Sequence, residues 1–182
     1  SSDVCSSDLI AGAERLVFLN SLTTQAMETM TPGSSVLTLD LSMNGFVLHE
    51  LHVVDDGETA WVICEPSSTA ELMTYFTRMK FRMLLEIEDV TQQWAVVFQP
   101  VAQAHPQYLT WVSPQTDRWA AREVLVPRAD VASVVAAAPA GVWAYSAHRV
   151  AAGIARQGYE TDHHTIPHEL GWIGSAVHLN KG

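Results

Sequence analysis

The pattern of apolar and polar positions predicts a series of short elements in the first part of the chain. Residues 14–22 place leucine and phenylalanine at helical spacing, which predicts a short amphipathic helix. Alternating apolar and polar residues predict three strands, at 36–41, 46–54 and 59–65. The sequence DDGE at 55–58 has the composition of a hairpin turn between the last two of these strands.

The pattern continues through a second helix into two further strands. Ser68 and Glu71 have the spacing of a capping box, and the apolar residues that follow them share one helical face to about residue 80. Strands are predicted at 83–91 and 94–99. Strands, a helix and more strands, joined by links of hairpin length, indicate an α+β fold with a mostly antiparallel sheet and flanking helices.

Beyond residue 99 the periodicity weakens. Residues 100–120 contain three prolines and scattered aromatics, which predict short strands and loops at a lobe boundary. The later elements predicted are a strand at 123–127, alanine-rich helices at 128–138 and 142–154, and a loop-like segment at 155–182. We therefore expect a first lobe at 10–99 and a second lobe at 100–182.

The first nine residues, SSDVCSSDL, have an unusual composition. Translated back into codons in one reading frame, all nine residues fit DNA that resembles a common sequencing adaptor. We therefore expect residues 1–9 to be a translated artefact outside the fold, the alternative being a disordered Ser/Asp segment. Cys64 is then the only authentic cysteine, which leaves no disulfide framework and no metal-type spacing and favours a reducing, cytoplasmic setting.

Composition narrows the classes of function. Hydrophobic residues make up 48% of the chain, enough for the core of one domain. The formal net charge of −10 argues against nucleic-acid binding through a basic face. The longest apolar run, at 131–139, is too short to span a bilayer, so we expect no membrane association.

Four dispersed segments carry a resemblance to a known family. They are GAERLVFLNSLTTQAM at 12–27, GFVLHELHVV at 45–54, HRVAAG at 148–153 and GYETDHHTIPHELGWIG at 158–174. Their order and spacing resemble the folate-binding domain shared by the YgfZ family and the aminomethyltransferase (T-protein) of glycine cleavage, most of all actinobacterial YgfZ members. The resemblance covers residues 10–182 and implies an aminomethyltransferase-like, folate-binding α+β domain.

The resemblance also implies a function. It implies a protein that binds tetrahydrofolate and assists assembly or repair of iron–sulfur clusters, with iron–sulfur enzymes or the cluster-assembly machinery as partners. Lys181 and Gly182 match the first two residues of the family signature K-G-C-Y-x-G-Q-E, so the signature cysteine is expected beyond this chain. The resemblance implies a non-enzymatic factor rather than an enzyme. The alternatives are a true aminomethyltransferase and a scaffold that has lost its ligand.

The resemblance places the first candidate ligand contacts on the strand at 46–54. Where the T-protein carries two aspartates near the folate ring, this chain has His49 and Glu50. A carboxylate there would accept a hydrogen bond from the ring and stabilise positive charge on nitrogen. Alternation puts His49 and Glu50 on opposite faces. The open alternative is that His49 is a hydrogen-bonded core residue and that Glu50 forms an exposed pair with His52.

Further candidates follow in the second lobe. Tyr145 could stack on a pterin ring, and Arg149 could pair with a ligand carboxylate or, as the simpler use, with Glu169. Glu169 belongs to the segment that resembles the family's T-x-P-x-E-x-G, and it completes the candidate folate site that the resemblance implies. The family glutamate of the L-R-L-E-A-G element is replaced by Ala151, which offers no acceptor to a pteridine.

Two other groups have simpler explanations. The histidines of the last segment fit no compact ligand pattern, so we expect structural or solvent-exposed roles and no metal; they are His163, His164, His168 and His178. The basic cluster RMKFR at 78–82 either complements the negative end of its own helix or holds the glutamate tail of a folate.

Overall fold

Two antiparallel sheets packed face to face form the framework of the molecule. The structure, a computed structural model, describes residues 5–100, 105–112, 121–135 and 141–181, without the side chain of Pro100. Every strand pairing in these two sheets is antiparallel, and the first two helices cover the outer face of the first sheet. The predicted α+β class is confirmed.

The first sheet has five strands. They are β1 (Ser6–Ala11), β2 (Ser35–Leu41), β3 (Val47–Asp55), β4 (Thr59–Cys64) and β5 (Glu86–Asp89), in the order β2-β3-β4-β1-β5. The turn at 55–58 joins β3 to β4 as the sequence indicates. The first strand of the chain therefore lies inside the sheet, between β4 and β5.

Two helices cover the outer face of this sheet. They are α1 (Arg15–Leu22) and α2 (Thr69–Met79). Phe18 and Phe76 meet edge to face with ring centroids 5.6 Å apart, over the buried Leu51 and Val62. The apolar stripes that predicted both helices are the faces that form this core. The capping box is not formed, because the Ser68 side chain makes no cap hydrogen bond.

The second sheet packs on the opposite face of the first. Its strands are β6 (Trp94–Pro100), β7 (Thr110–Val112) and β8 (Ala121–Pro127), in the order β6-β8-β7. Ile63 of the first sheet packs with Trp111 and Leu125 of the second. This sheet begins before residue 100, so it draws on both predicted lobes, and the division at 99–100 stays a prediction.

The remaining helices are shorter than the sequence indicates. A 3-10 turn at Arg128–Asp130 leads into the single-turn α3 (Val131–Val134), and α4 follows at Gly141–Ala152. Residues 136–138 of the predicted helix lie outside the described residues. The last segment is loop-like as predicted, with a 3-10 turn at Pro167–Leu170. No helix in the described ranges is long and apolar enough to cross a bilayer.

Two further predictions need correction. Residues 1–9 were expected to lie outside the fold, but Ser6–Leu9 pair with β4, and Asp8 and Leu9 also pair with β5. The strand predicted at 83–91 is reduced to Glu86–Asp89, because the backbone turns back after α2 with the Met83 N–H bonded to the Lys80 carbonyl at 2.8 Å. Whether residues 1–9 come from an adaptor stays a prediction about their origin.

Candidate functional site

A cavity of about 110 Å³ lies between the two sheets and α4. Its polar lining residues come from β3, the end of β4, β8, α4 and the loop after α4; they are Glu50, His52, Glu65, Glu123, Tyr145 and Arg156. Apolar residues of the same walls, including Ile63 and Phe98, separate these groups. The cavity thus gathers three carboxyl groups, an imidazole, a phenol and a guanidinium from elements distant in the sequence.

The alternation of β3 decides which of its side chains reach the cavity. His49 faces the helices together with the buried Leu51, whereas Glu50 and His52 face the second sheet. The His49 Nδ1 lies 2.9 Å from Asp40 Oδ2, and both side chains are buried. His49 therefore has the geometry of the core alternative. The expected exposed pair is wrong, because Glu50 and His52 are both largely covered by the second sheet.

Burial in the cavity changes the acidity of Glu50. Burial raises the pKa of its carboxyl to about 7, an effect that His52 and the Gln157 backbone N–H oppose. That N–H donates to Glu50 Oε2 at 3.2 Å, while the Glu50 backbone N–H donates to Gln157 Oε1 at 2.7 Å. Near neutral pH Glu50 is therefore divided between an acceptor form and a protonated form that can also donate.

Glu123 lines the same cavity as Glu50 and His52. The Trp111 indole N–H donates to Glu123 Oε2 at 3.0 Å, and His52 Nδ1 lies 3.6 Å from the same oxygen. Burial lowers the pKa of His52, but the carboxylates of Glu123 and Glu50 outweigh it, so the net shift is upward. An imidazole close to two carboxyl groups is more easily protonated, because their negative charges stabilise the imidazolium form.

The third carboxyl group is neutralised by an arginine. Arg156 donates to Glu65 through Nε and Nη2, the second bond being 2.9 Å long. Its guanidinium also lies 4.5 Å from the centroid of the Tyr159 ring. This bidentate pair closes one wall of the cavity and leaves Glu50 and Glu123 as the carboxyls that line it without a guanidinium bond.

Tyr145 supplies the aromatic side of the cavity. Its ring meets Phe98 edge to face, with centroids 5.1 Å apart. Burial, followed by the charge of Glu123, raises the pKa of its phenol, so the hydroxyl stays protonated at neutral pH. The group can donate a hydrogen bond to a ligand acceptor.

The comparisons with known proteins concern the fold. Neither a protein-family profile nor a curated protein matches the sequence. Among solved structures, the glycine cleavage system aminomethyltransferase T from Bartonella henselae superposes with a TM-score of 0.60 and 8% identity. The match covers 72% of this chain and 42% of that protein.

The chain has the aminomethyltransferase T fold. The expected fold family is thereby confirmed at the level of structure, whereas the more specific YgfZ assignment stays a prediction. The chain spans about two fifths of the length of the aminomethyltransferase it resembles.

Within the aminomethyltransferase T fold, two of the candidate site residues lie apart from the cavity. Arg149 is buried, and its Nη1 donates to Glu160 Oε2 at 2.7 Å and to the Ile154 carbonyl at 3.1 Å. The expected ion pair with Glu169 is therefore wrong. Glu169 instead accepts the Ile166 backbone N–H at 3.1 Å. The structure brings Glu50 and Tyr145 together and places the other candidates elsewhere.

Four lining residues were not among the sequence candidates: His52, Glu65, Glu123 and Arg156. For Glu123 a signal was present, because a glutamate beside the apolar run of β8 is seldom buried without a polar role. For Arg156 the sequence carries no signal, since its partner Glu65 is 91 positions away.

Lys181, the first residue that matches the family signature, contacts the end of α1. Lys181 donates from Nζ to the carbonyls of Asn20, Thr23 and Gln25, the last at 3.0 Å. Burial lowers the pKa of its ammonium group. Gly182 lies outside the described residues. Lys181 thus satisfies carbonyls at the end of α1, where a positive charge is favoured.

Two of the four histidines of the last segment, His163 and His164, lie next to each other. The His163 and His164 rings lie 4.1 Å apart, and Asp162 accepts the His164 backbone N–H at 2.9 Å. In the described part of the chain, no three His, Cys, Asp or Glu side chains are arranged to hold a metal ion.

Proposed function

We propose that this chain is the folate-binding part of a YgfZ-like protein and that the cavity between the sheets binds the ring system of tetrahydrofolate. The observation that carries the proposal is that Glu50, which the resemblance aligns with a family aspartate, lines this cavity together with Tyr145. The aminomethyltransferase T fold adds support.

The donor and acceptor groups of the cavity suit a pterin. Its amino-pyrimidine edge presents neighbouring N–H donors, and Glu50 and Glu123 are carboxyl acceptors on facing walls. Tyr145 and Phe98 offer ring surfaces for apolar contact. Bound there, tetrahydrofolate would supply nitrogen atoms able to carry a one-carbon unit; the residues of the chain orient the ring and exclude water.

Two departures favour a cluster-assembly factor over aminomethyl transfer. A carboxylate that stabilises positive charge on a ring nitrogen must be ionised, and a pKa of about 7 leaves Glu50 only partly ionised at neutral pH. Ala151 also removes the second family carboxylate. We propose accordingly that the protein is a non-enzymatic, cytoplasmic factor whose partners are iron–sulfur enzymes or the machinery that assembles their clusters.

Titration with tetrahydrofolate under anaerobic conditions tests the binding step. We expect saturable binding that Glu50→Gln weakens about tenfold or more, the loss typical of a charged hydrogen bond. Glu88→Gln, an exposed glutamate on β5, is the matched control and should bind as the parent does. Absence of saturable binding would contradict the folate proposal.

The cluster-assembly step needs a separate experiment. A strain that lacks the gene should lose activity of its iron–sulfur enzymes, and the whole gene should restore it. Undiminished activity in that strain would contradict this half of the proposal and leave the folate half intact.

The second candidate function is aminomethyl transfer. It is favoured by the one carboxyl group that the cavity retains at the aspartate position, Glu50. An assay for folate-dependent methylene transfer by the whole protein decides between the two, because only this candidate predicts turnover.

A further inference from the structure

A basic, apolar tip projects at the end of α2, away from the folate cavity. We define the basic tip as residues 78–84, RMKFRML. It holds three of the ten Lys and Arg residues of a chain with a net charge of −10 and contains no acidic residue. Phe81 is 82% exposed and Leu84 is 88% exposed. The tip is thus a positively charged patch on a negatively charged chain, and it exposes two large apolar side chains to solvent.

Phe81 has a backbone conformation that is costly for its residue type. Its φ is +44°, and in the described ranges it is the only non-glycine residue with a positive φ. A bulky side chain is a rare occupant of this region, which glycine adopts without strain. Because the ring is exposed, its burial contributes little free energy to offset the strain in the Phe81 backbone.

Local bonds hold the tip in this shape. Lys80 Nζ donates to the Leu85 carbonyl at 3.1 Å, and the Arg82 guanidinium lies 5.3 Å from the centroid of the Phe81 ring. Arg78 in the last turn of α2 is explained by the helix dipole. That explanation does not extend to the exposed Phe81 and Leu84. The residues of the tip are not among those that line the cavity, and a role in holding a folate tail stays a prediction.

We propose that the basic tip is a docking surface for an acidic segment of a partner protein that has an apolar pocket for Phe81. Arginine, methionine and aromatic residues are the types enriched at the centres of protein interfaces, and the tip consists mainly of these. The strained backbone presents the ring in a fixed direction, which lowers the entropy lost on binding.

The surroundings of the tip favour a narrow acidic partner over an anionic bilayer. Glu86, Glu88 and Asp89 follow on β5, and their side chains are exposed. A broad anionic plane would bring these carboxylates against like charge, whereas a single acidic segment can contact the tip alone. Charge complementarity therefore selects a protein segment.

Selection from a phage-displayed library of random linear peptides tests this proposal without a known partner. Peptides are selected on the parent protein after depletion on Phe81→Gly. We expect enrichment of acidic sequences with an apolar anchor. Synthetic copies should lose about tenfold or more in affinity for Phe81→Gly and Arg82→Gln and keep it for Met43→Ala, whose exposed side chain lies elsewhere.

A stability measurement distinguishes the interface role from a structural one. Phe81→Gly removes the strain together with the ring, so we expect its melting temperature to equal or exceed that of the parent. A marked decrease would assign Phe81 to folding and overturn the proposal. Enriched peptides that lack acidic residues or bind Phe81→Gly equally, and tip-dependent binding to phosphatidylglycerol vesicles without peptide enrichment, would overturn it as well.

Discussion

At the scale of single residues, the acidity of Glu50 connects the fold to the proposed ligand. The face of β3 that carries it is covered by the second sheet, so its charge is poorly solvated and its pKa rises. His52 Nδ1 and Glu123 Oε2 lie 3.6 Å apart in the same cavity. A ligand that offers N–H donors would favour the ionised form of Glu50, and we therefore expect tetrahydrofolate binding to depend on pH around neutrality.

Glu50→Gln should change how stability depends on pH. The folded-state pKa of about 7 lies above the ordinary value of 4.5, so the folded state holds the proton more tightly than the unfolded state. The free energy of unfolding of the parent should thus fall as pH rises from about 4.5 to 7, by up to about 3 kcal/mol from this group. Urea unfolding at several pH values measures this; equal slopes for the parent and Glu50→Gln would contradict it.

At the scale of elements, β1 combines a central position with a polar sequence. Ser6, Ser7 and Asp8 are buried between β4 and β5. Burial and the charge of Asp89 raise the pKa of Asp8 to about 7, and its Oδ1 has no hydrogen-bond partner in the described structure. A strand covered on both faces is normally apolar, so the buried carboxyl of Asp8 is a departure from that rule.

Asp8→Asn should stabilise the protein at alkaline pH. The folded-state pKa of about 7 exceeds the ordinary 3.8, so the ionised side chain destabilises the fold increasingly above pH 4. We expect a gain of roughly 1–3 kcal/mol at pH 8 that shrinks at pH 4. Asp89→Asn on the exposed edge strand is the control and should gain less. A loss of stability at pH 8 would show that the charge is compensated.

The elements also show what the sequence can predict. Helices α1 and α2 were predicted correctly because each has a continuous apolar face that meets one sheet. Strand β1 was missed because residues 1–9 were interpreted as an artefact outside the fold, and its polar sequence SSDLIA gives no alternating apolar pattern. For the site, Glu50 and Tyr145 were found through the resemblance, whereas Arg156 depends on a pairing across 91 positions that no local pattern encodes.

At the scale of the whole molecule, the cavity exists because two sheets and the loop after α4 meet. Arg156 is 7% exposed and joins this loop to Glu65 at the end of β4. A buried ion pair of this kind contributes little net stability, but the loss of one partner leaves an uncompensated charge. The pair therefore fixes the geometry of the cavity more than it stabilises the fold.

Arg156→Gln should accordingly cost more than removal of both charges. We expect a loss of about 3–5 kcal/mol for Arg156→Gln and a smaller loss for the double variant Glu65→Gln/Arg156→Gln. A double-mutant cycle in urea measures the coupling, with Glu65→Gln as the other single variant. Additive effects would contradict a direct pairing. Tetrahydrofolate affinity should follow the geometry and decrease in all three variants.

The strand order places β1 between two strands that are both distant from it in the sequence. Among the five strands of the first sheet β1 comes first in the sequence, yet β4 and β5, its two neighbours in the sheet, are synthesised about 50 and 80 positions later. Until β4 is synthesised, β1 has no strand to pair with. β5 joins this sheet by pairing with β1. The sheet is therefore complete only when β1 has paired with strands much later in the sequence. Because these contacts are distant in sequence, we expect folding to be slow for a chain of this length.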